Sequence, residues 1–279
     1  MAAEVLEYLR PADGQTIVDC TLGGGGHARH LKLQTANLNI IGIDQDAEAI
    51  AAAQNALSDF SGVVYIQDNF ANLAQHVNKP VDGFLFDLGV SSYQIDEPER
   101  GFSLREDGPL DMRMDRRQKL TAAEIVNSWP VEELTRIIQE YGEERFAKRI
   151  SNAIRATRNA KMINTTFELK ELVEKAIPTW KKRESVSRVF QALRIAVNAE
   201  LANLQKELND AVARLLPGGR IVVIAYHSLE DRPVKQTFRA LGKDGILKVL
   251  TKKPLTASQE EIAMNPRSRS AKLRAAVRT

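Results

Sequence analysis

The sequence predicts an α/β protein with a mostly parallel sheet of about seven strands, interrupted by an inserted all-helical domain. Three observations carry that prediction. Strand-like runs alternate with helical ones between residues 16 and 89. The stretch 98–185 has helical periodicity without a convincing strand, and a buried strand pattern returns at IVVIAY, residues 221–226. A chain of 279 residues is also long enough for about two units of roughly 150 residues each.

The elements follow in order. EVLEYL reads as a short helix, then TIVDCTL, LNIIGID, VVYIQD and VDGFLFDLG read as strands, three of them rich in β-branched residues, with AEAIAAAQNALSDF as a helix between the second and third. Such alternation implies parallel strands with both faces covered. The segment GFSLREDGPLDMRMDRRQ has turn chemistry at Asp107, Gly108 and Pro109 and little periodicity, so it reads as a long loop. Thr121 with Glu124, and Thr165 with Glu168, match the capping box; Pro130 suits a first helical turn and Gly142 a helix end. Apolar residues at Val189, Leu193, Val197, Leu201, Leu204, Leu208, Val212 and Leu215 describe one long amphipathic helix, followed by a PGGR turn and IVVIAY. A helix (LEDRPVKQTFRALG) and two short strands (ILKVL and LRAAVR) finish the chain. The resulting division is 1–97 and 186–279 for the sheet domain, with 98–185 as the insertion.

Composition narrows the function. With 43% hydrophobic and 27% charged residues, wholesale disorder, collagen-like and coiled-coil architectures are set aside. The longest apolar run is six residues, against the ~20 needed for a bilayer span, so no transmembrane helix or membrane role is expected. MAAEVLEYLR has two glutamates and no basic region followed by an apolar stretch, so it is not read as a secretory signal. With a single cysteine, Cys20, no intramolecular disulfide is possible, and a cytoplasmic location is expected. The net charge of +3 hides an asymmetry: residues 1–97 carry 4 Lys/Arg against 13 Asp/Glu, residues 98–199 carry 20 against 15, and residues 200–279 carry 15 against 8. An acidic first third joined to a basic remainder suggests a cofactor unit attached to a surface for a polyanion.

The sharpest local signal is DCTLGGGGHARH, where a strand ends in four glycines and a helix begins near His27. Counted from Gly23 it fits G-x-G-x-x-A, and Asp44 lies 21 residues on at the end of the next strand, placed to hold a ribose diol. The same geometry serves a nicotinamide dinucleotide or S-adenosylmethionine, and the fingerprint alone leaves both open. Asp87, after the fourth strand, and His227, after the fifth, face the same crevice in a doubly wound sheet. Phe70 is placed to pack on an adenine ring, and His76 reads as surface. No metal site is expected.

GGGGH at 23–27, FDLGVSSYQID at 86–96, RGFSLREDGPLDMRMD at 100–115, RVFQALRIAVNAEL at 188–201, HSLEDRPVK at 227–235 and NPRSRSAKLR at 265–274 together resemble the bacterial ribosomal RNA small-subunit methyltransferase H (MraW) family. The likeness runs over nearly the whole chain. Two departures are visible: the chain opens on MAA without a His-x-Pro-Val stretch, and it has no cysteine-bearing loop before ILKVLTKKP. The resemblance implies a Rossmann-like class I methyltransferase fold with a helical substrate-recognition insertion. It further implies S-adenosylmethionine as cofactor and N4-methylation of a decoding-centre cytidine in 16S rRNA, within the small subunit or a late assembly intermediate. The implied cofactor contacts are Gly25, Gly26, His27, Asp44, Phe70, Asp87 and Gln94.

Chemistry suggests further roles. Hydrogen-bond acceptors at Val90, Ser91 and Ser92 would draw the delocalised N4 lone pair toward the methyl group, with Asp111 or His227 as proton acceptor. Cytosine C5 methylation is disfavoured, because it needs a cysteine nucleophile and Cys20 precedes the glycine loop. Arg113, Arg116, Arg117 and Lys119 in the loop, with Arg267, Arg269, Lys272 and Arg274 in the basic tail, are candidate phosphate contacts, and Tyr93 is a candidate stacking residue. The rival readings are a nicotinamide-dependent oxidoreductase, a non-catalytic ribosome-assembly factor, and a DNA cytosine-N4 methyltransferase, the last disfavoured by Gly89, Val90, Ser91 and Ser92 in place of a Pro-Pro-aromatic sequence. Monomer and homodimer both stay open.

Overall fold

The β-branched runs of the first ninety residues become β1 (Thr16–Asp19), β2 (Asn39–Asp44), β3 (Val63–Gln67) and β4 (Val81–Asp87) in the computed structural model. After the insertion come β5 (Leu215–Ala225), β6 (Leu247–Val249), β7 (Leu255–Thr256) and β8 (Lys272–Arg278). The structure describes all residues except Asn203, together with all side chains except those of Ser92, Thr179 and Asn203. One sheet of eight strands runs β3-β2-β1-β4-β5-β8-β6, with β7 pairing β8. The first five strands of that order are parallel, and β8 lies antiparallel to β5, β6 and β7. The strand beyond the expected seven, β7, has only two residues, too short for a period-2 signal.

Contacts divide the chain into two compact units, Met1–Ser91 with Asn203–Thr279, and Ser92–Ala202. In the first unit both sheet faces are covered, as parallel strands require. One face packs Val18, Phe84, Phe86, Val223 and Phe238; the other packs Ile17, Leu31, Ile40, Leu85 and Leu273. The PGGR turn expected before IVVIAY lies inside β5, where pairing with β4 is irregular between Val81 and Gly83 and Gly218 takes φ +81°.

The second unit is helical, with the helices Ala122–Ser128, Val131–Glu140, Ala147–Arg158, Thr166–Ala176 and Lys182–Asn198 packed on Leu134, Ile138, Ile150, Leu169 and Leu193. The capping box at Thr165 and Glu168 is complete, while at Thr121 the hydroxyl accepts from Glu124 N–H. One expectation is corrected here. The long helix from Val189 to Leu215 is two helices, Lys182–Asn198 and Leu204–Ala213, because Ala199 turns left-handed at φ 50° and ends the first. The periodicity survives the break, since each helix buries its own apolar stripe.

The loop between residues 100 and 118 has little regular structure but is firmly held. Leu110, Met112 and Met114 are buried, and the buried Arg100 donates to the carbonyls of Arg113 and Met114 at 3.0 and 3.1 Å. Asn198 completes the clamp: its Nδ2 donates to Met112 O at 2.8 Å and its Oδ1 accepts from Met114 N–H at 2.8 Å. Asn198→Ala would remove two buried hydrogen bonds to the loop backbone, each worth about 1–2 kcal/mol. A loss of about 2–4 kcal/mol in urea unfolding is therefore expected; a loss below about 0.5 kcal/mol would show that the loop does not depend on this clamp.

Candidate cofactor site

Three carboxylates close neighbouring parallel strands: Asp19 ends β1, Asp44 ends β2 and Asp87 ends β4. Strand order reverses at β1, which pairs with β2 on one side and β4 on the other, and ligands of open α/β sheets bind beyond the strand ends at such a reversal. The glycine loop leaves β1 at this point. Leu22 N–H donates to Ile43 O at 3.0 Å, Gly25 N–H to Leu22 O at 2.9 Å, and Gly23 N–H to Asp44 Oδ2 at 2.8 Å.

The four glycines have different work to do. Gly23 and Gly25 sit at φ +50° and +79°, which L side chains rarely adopt. Gly25 is also crowded, since an added Cβ would lie 3.1 Å from Leu57 and 3.3 Å from Ala53. Gly24 and Gly26 are exposed, and nothing lies within 4 Å of a Cβ built on either. The helix Gly26–Gln34 begins here without a side-chain cap, so its first N–H groups are available to a ligand and its dipole favours negative charge. A Cβ on Gly23 would lie 3.8 Å from Ser91 Cβ, which puts Ser91 beside the hollow.

Asp87 is the hub of the opposite wall. Its Oδ2 lies 3.4 Å from His27 Nε2, its Oδ1 accepts from the Tyr226 hydroxyl at 2.9 Å, and its N–H donates to Thr21 Oγ1 at 2.6 Å. Burial lowers the His27 pKa, but the Asp87 hydrogen bond and charge outweigh it and hold the imidazole above its ordinary range. Burial and the Asp87 charge push the Tyr226 hydroxyl upward. Asp19 is fully enclosed, and burial raises it to about 7 against the pull of His27 and a hydrogen bond from Thr21 N–H. His27 Nδ1 is buried without a partner. Phe70 meets Phe86 edge to face at 5.8 Å between ring centroids and is only partly buried.

The first unit thus gathers Gly25, Gly26, His27, Asp44, Phe70, Asp87 and Ser91 at one end of the sheet. Sequence reasoning missed Asp19 and Tyr226. The available signal was the repeat of an acid at the end of three crevice strands, of which only two were taken. His227 caps the helix Ser228–Lys243, with Nε2 at 3.0 Å from Glu230 Oε1. His76 pairs with Asp68 at 2.7 Å, which pulls Asp68 below the usual carboxylate range against its partial burial.

Gln94 and Tyr93 lie on the helix Ser92–Asp96 of the second unit, Gln94 buried and Tyr93 exposed. The Ser92 side chain lies outside the described residues. Asp111 and Arg113 form a two-point ion pair at 2.7 and 2.8 Å, so Asp111 is held below its usual range despite the opposing effect of burial. Arg117 is locked on Asp115 at 2.8 Å, and Arg116 and Lys119 are exposed.

The tail requires correction. The strand expected at LRAAVR is β8, Lys272–Arg278, paired on both sides, so the basic tail is not free to meet phosphate along its whole length. Arg274 is only 6% exposed and binds Asp231 at 2.6 and 3.0 Å, which removes it from the phosphate candidates. Arg267 and Arg269 are exposed on the 3₁₀ turn Pro266–Ser270, and Lys272 is half-buried.

Strand order 3-2-1-4-5 extended by an antiparallel strand, with a glycine hollow and an acid at the second strand end, defines a class I S-adenosylmethionine-dependent methyltransferase. The family profile of the MraW methylase family matches residues 1–279. The chain belongs to this family. Ribosomal RNA small subunit methyltransferase H of Halothermothrix orenii is 48% identical over 99% of this chain and 96% of its own length. The protein of the same name from Carboxydothermus hydrogenoformans is 47% identical over 98% and 94%. An rRNA methylase of Streptococcus thermophilus, a solved structure, aligns over 99% of this chain and 93% of its own at 13% identity and a TM-score of 0.45. Family membership does not favour the nicotinamide or non-catalytic readings. Among the described residues, no helix is long and apolar enough to cross a membrane.

Asp19 gives a pH test. Its unfolded carboxyl titrates near 3.8 and its folded one near 7, so the folded state holds the proton more tightly. Its contribution to stability is greatest below about pH 4 and is lost as pH rises to about 7. Asp19→Asn is expected to flatten that fall, with a gain on the order of a few kcal/mol at pH 8 and little change at pH 4. Thermal unfolding across this range measures it, and an unaltered slope would mean that Asp19 ionises freely. Glu207, raised by burial to about 7, supplies a residual slope of the same sign.

Proposed function

We propose that the chain transfers a methyl group from S-adenosylmethionine to the exocyclic N4 of a decoding-centre cytidine in 16S ribosomal RNA. The observation that carries this reading is the glycine hollow pinned to Asp44, in a chain whose family membership spans residues 1–279. The cofactor, when bound, supplies a methyl group on a positively charged sulfur. The residues fit it: Gly24 and Gly26 present open backbone, the uncapped helix Gly26–Gln34 offers N–H groups to a carboxylate, and His27 Nδ1 is a buried atom awaiting a partner. Asp44 spends one acceptor site of Oδ2 on Gly23 N–H and one of Oδ1 on Asp46 N–H. Asp44, which ends β2 beside the glycine loop, is assigned to the ribose diol. Phe70, Asp87 and Gln94 are assigned to the rest of the cofactor.

Positioning supplies most of the rate, since the acceptor nitrogen must lie in line with the bond that breaks. Acceptors at Val90, Ser91 and Ser92 hold the amino hydrogens and free the lone pair from the ring. Transfer would leave the sulfur neutral and the N4 nitrogen cationic and strongly acidic, so a weak base suffices to take its proton. Asp111, depressed by Arg113, and His227 meet that modest requirement. A C5 reaction is disfavoured again, because Cys20 is 1% exposed and burial pushes its thiol well above the ordinary value.

The target base has to be splayed out, which costs a few kcal/mol unless it is already unpaired. That favours an assembled small subunit or a late assembly intermediate, in the cytoplasm. Monomer and homodimer serve this chemistry equally. Incubation with labelled S-adenosylmethionine and small subunits lacking the modification, followed by nucleoside mass spectrometry, is expected to yield N4-methylcytidine. A C5-methyl or ribose-methyl product would overturn the reading.

Gly26→Ala isolates the hollow. The position is helical and open, so stability is expected to hold or rise slightly. A methyl group intruding on a close backbone approach costs about 1–3 kcal/mol, so calorimetric affinity for S-adenosylmethionine is expected to fall about 5- to 100-fold. Unchanged affinity would place the cofactor elsewhere.

A further inference from the structure

We propose that the helical unit carries a stacking platform for an unpaired RNA base, built on Trp180, Arg145 and Phe146 and separate from the glycine hollow. The proposal rests on the reading of the chain as an RNA methyltransferase, and it adds a site that this reading does not assign. Trp180 is 71% exposed, which leaves most of a large aromatic side chain in water. Indole rings left in that state are characteristic anchors of binding surfaces.

The surroundings select the ligand. The Arg145 guanidinium lies 5.2 Å from the Trp180 ring centroid and 4.7 Å from that of Phe146, so one planar cation serves two rings. Lys181 Nζ lies 5.2 Å from the Trp180 ring. Glu184 is shared between Lys181 at 2.6 Å and Arg188 at 2.7 Å, and the buried Glu144 accepts from Phe146 N–H at 2.8 Å through Oε1, so Glu184 is already engaged and Glu144 is withdrawn from the surface. Among the described residues, Arg145, Lys148, Arg149, Lys182 and Arg183 have no ion pair, and four of these five are exposed, Lys182 being half-buried. An exposed ring with the Arg145 guanidinium and the Lys181 ammonium beside it fits a ligand with both a flat π-face and a nearby negative charge. An unpaired nucleotide has both. An acidic peptide segment supplies the charge without the flat face.

The test uses the full chain. Anisotropy of an end-labelled, unstructured ten-nucleotide RNA reads affinity, and methyl transfer to unmodified small subunits reads the underlying function independently. Trp180→Ala is expected to weaken RNA binding about 5- to 100-fold, the value of one stacked base, with S-adenosylmethionine affinity unchanged. Trp180→Phe, which keeps a ring, is expected to recover most of the loss. It is also expected to abolish the RNA-induced quenching of tryptophan emission, because the other tryptophan, Trp129, is packed in the helical core. Arg145→Ala is expected to reduce the salt slope of binding by about one counterion. Unchanged oligonucleotide affinity in Trp180→Ala, with methyl transfer by the wild-type chain intact, overturns the platform and leaves the function standing. Loss of binding to whole subunits with full oligonucleotide affinity also overturns it, in favour of a protein contact. A wild-type chain that methylates no subunit overturns both.

Discussion

The site depends on one hydrogen bond between backbone and side chain, from Gly23 N–H to Asp44 Oδ2. It joins the glycine loop after β1 to the end of β2, two pieces of chain 21 residues apart. Its consequences spread through short links. Asp44 Oδ1 accepts from Asp46 N–H, and Asp46 accepts from Glu48 N–H to cap the helix Ala47–Ala56. Ala53 of that helix, with Leu57 just beyond it, then presses on Gly25 so closely that a Cβ there would sit 3.1–3.3 Å from them. The carboxylate therefore shapes the hollow from two sides, once through Gly23 and once through the helix it helps to start. Four glycines in a row lose much chain entropy on folding, and this clamp is what fixes them in one conformation.

Asp87 organises the other wall by the same economy of parts. It takes the Tyr226 hydroxyl and approaches His27, while its N–H holds Thr21, the residue that leads into the glycines. Because Asp19 is raised to about 7 by burial, the crevice near neutrality carries less negative charge than its three strand-end acids imply. Asp44 accepts from the N–H groups of Gly23 and Asp46, and Asp87 accepts from the Tyr226 hydroxyl and lies 3.4 Å from His27 Nε2. Such a wall can present fixed dipoles without reorganising when charge changes in the site.

Much of this was legible in the sequence because the parallel sheet is strongly patterned. TIVD, NIIGID, VVYIQ and VDGFLFD are strands, and the glycine run follows the first as expected. What escaped were features that depend on partners distant in sequence. Tyr226 looks like the last letter of an apolar strand until β4 places Asp87 within 2.9 Å of its hydroxyl. Asp19 looks like a strand-end acid until both sheet faces enclose it. Arg274 reads as part of a basic tail, but period-2 alternation is weak in KLRAAVR, and only the pairing of β5 with β8 sets it against Asp231. The break at Ala199 left no mark on the apolar repeat, because each helix buries its own apolar stripe, Val189, Leu193 and Val197 in the helical core and Leu204, Leu208 and Val212 against the sheet.

Charge counts need the same correction. Residues 98–199 hold 20 Lys/Arg against 15 Asp/Glu, and the loop from 100 to 118 looked like the place where the excess would meet phosphate. There the cations are spent on shape: Arg113 on Asp111, Arg117 on Asp115, and Arg100 on backbone carbonyls. A cation already neutralised by a carboxylate releases few counterions when a phosphate arrives, so it contributes little to salt-dependent binding. Arg105, Arg116 and Lys119 of this stretch stay exposed, and further cations lie on two helices of the helical unit. Among the described residues, Lys148, Arg149 and Arg155 on the helix Ala147–Arg158, and Lys182 and Arg183 at the start of Lys182–Asn198, have no ion pair. Trp180 precedes the second of these helices directly. Arg145 and Lys181 both lie 5.2 Å from the exposed Trp180 ring, a juxtaposition that neither charge density nor motif position in the sequence would have selected.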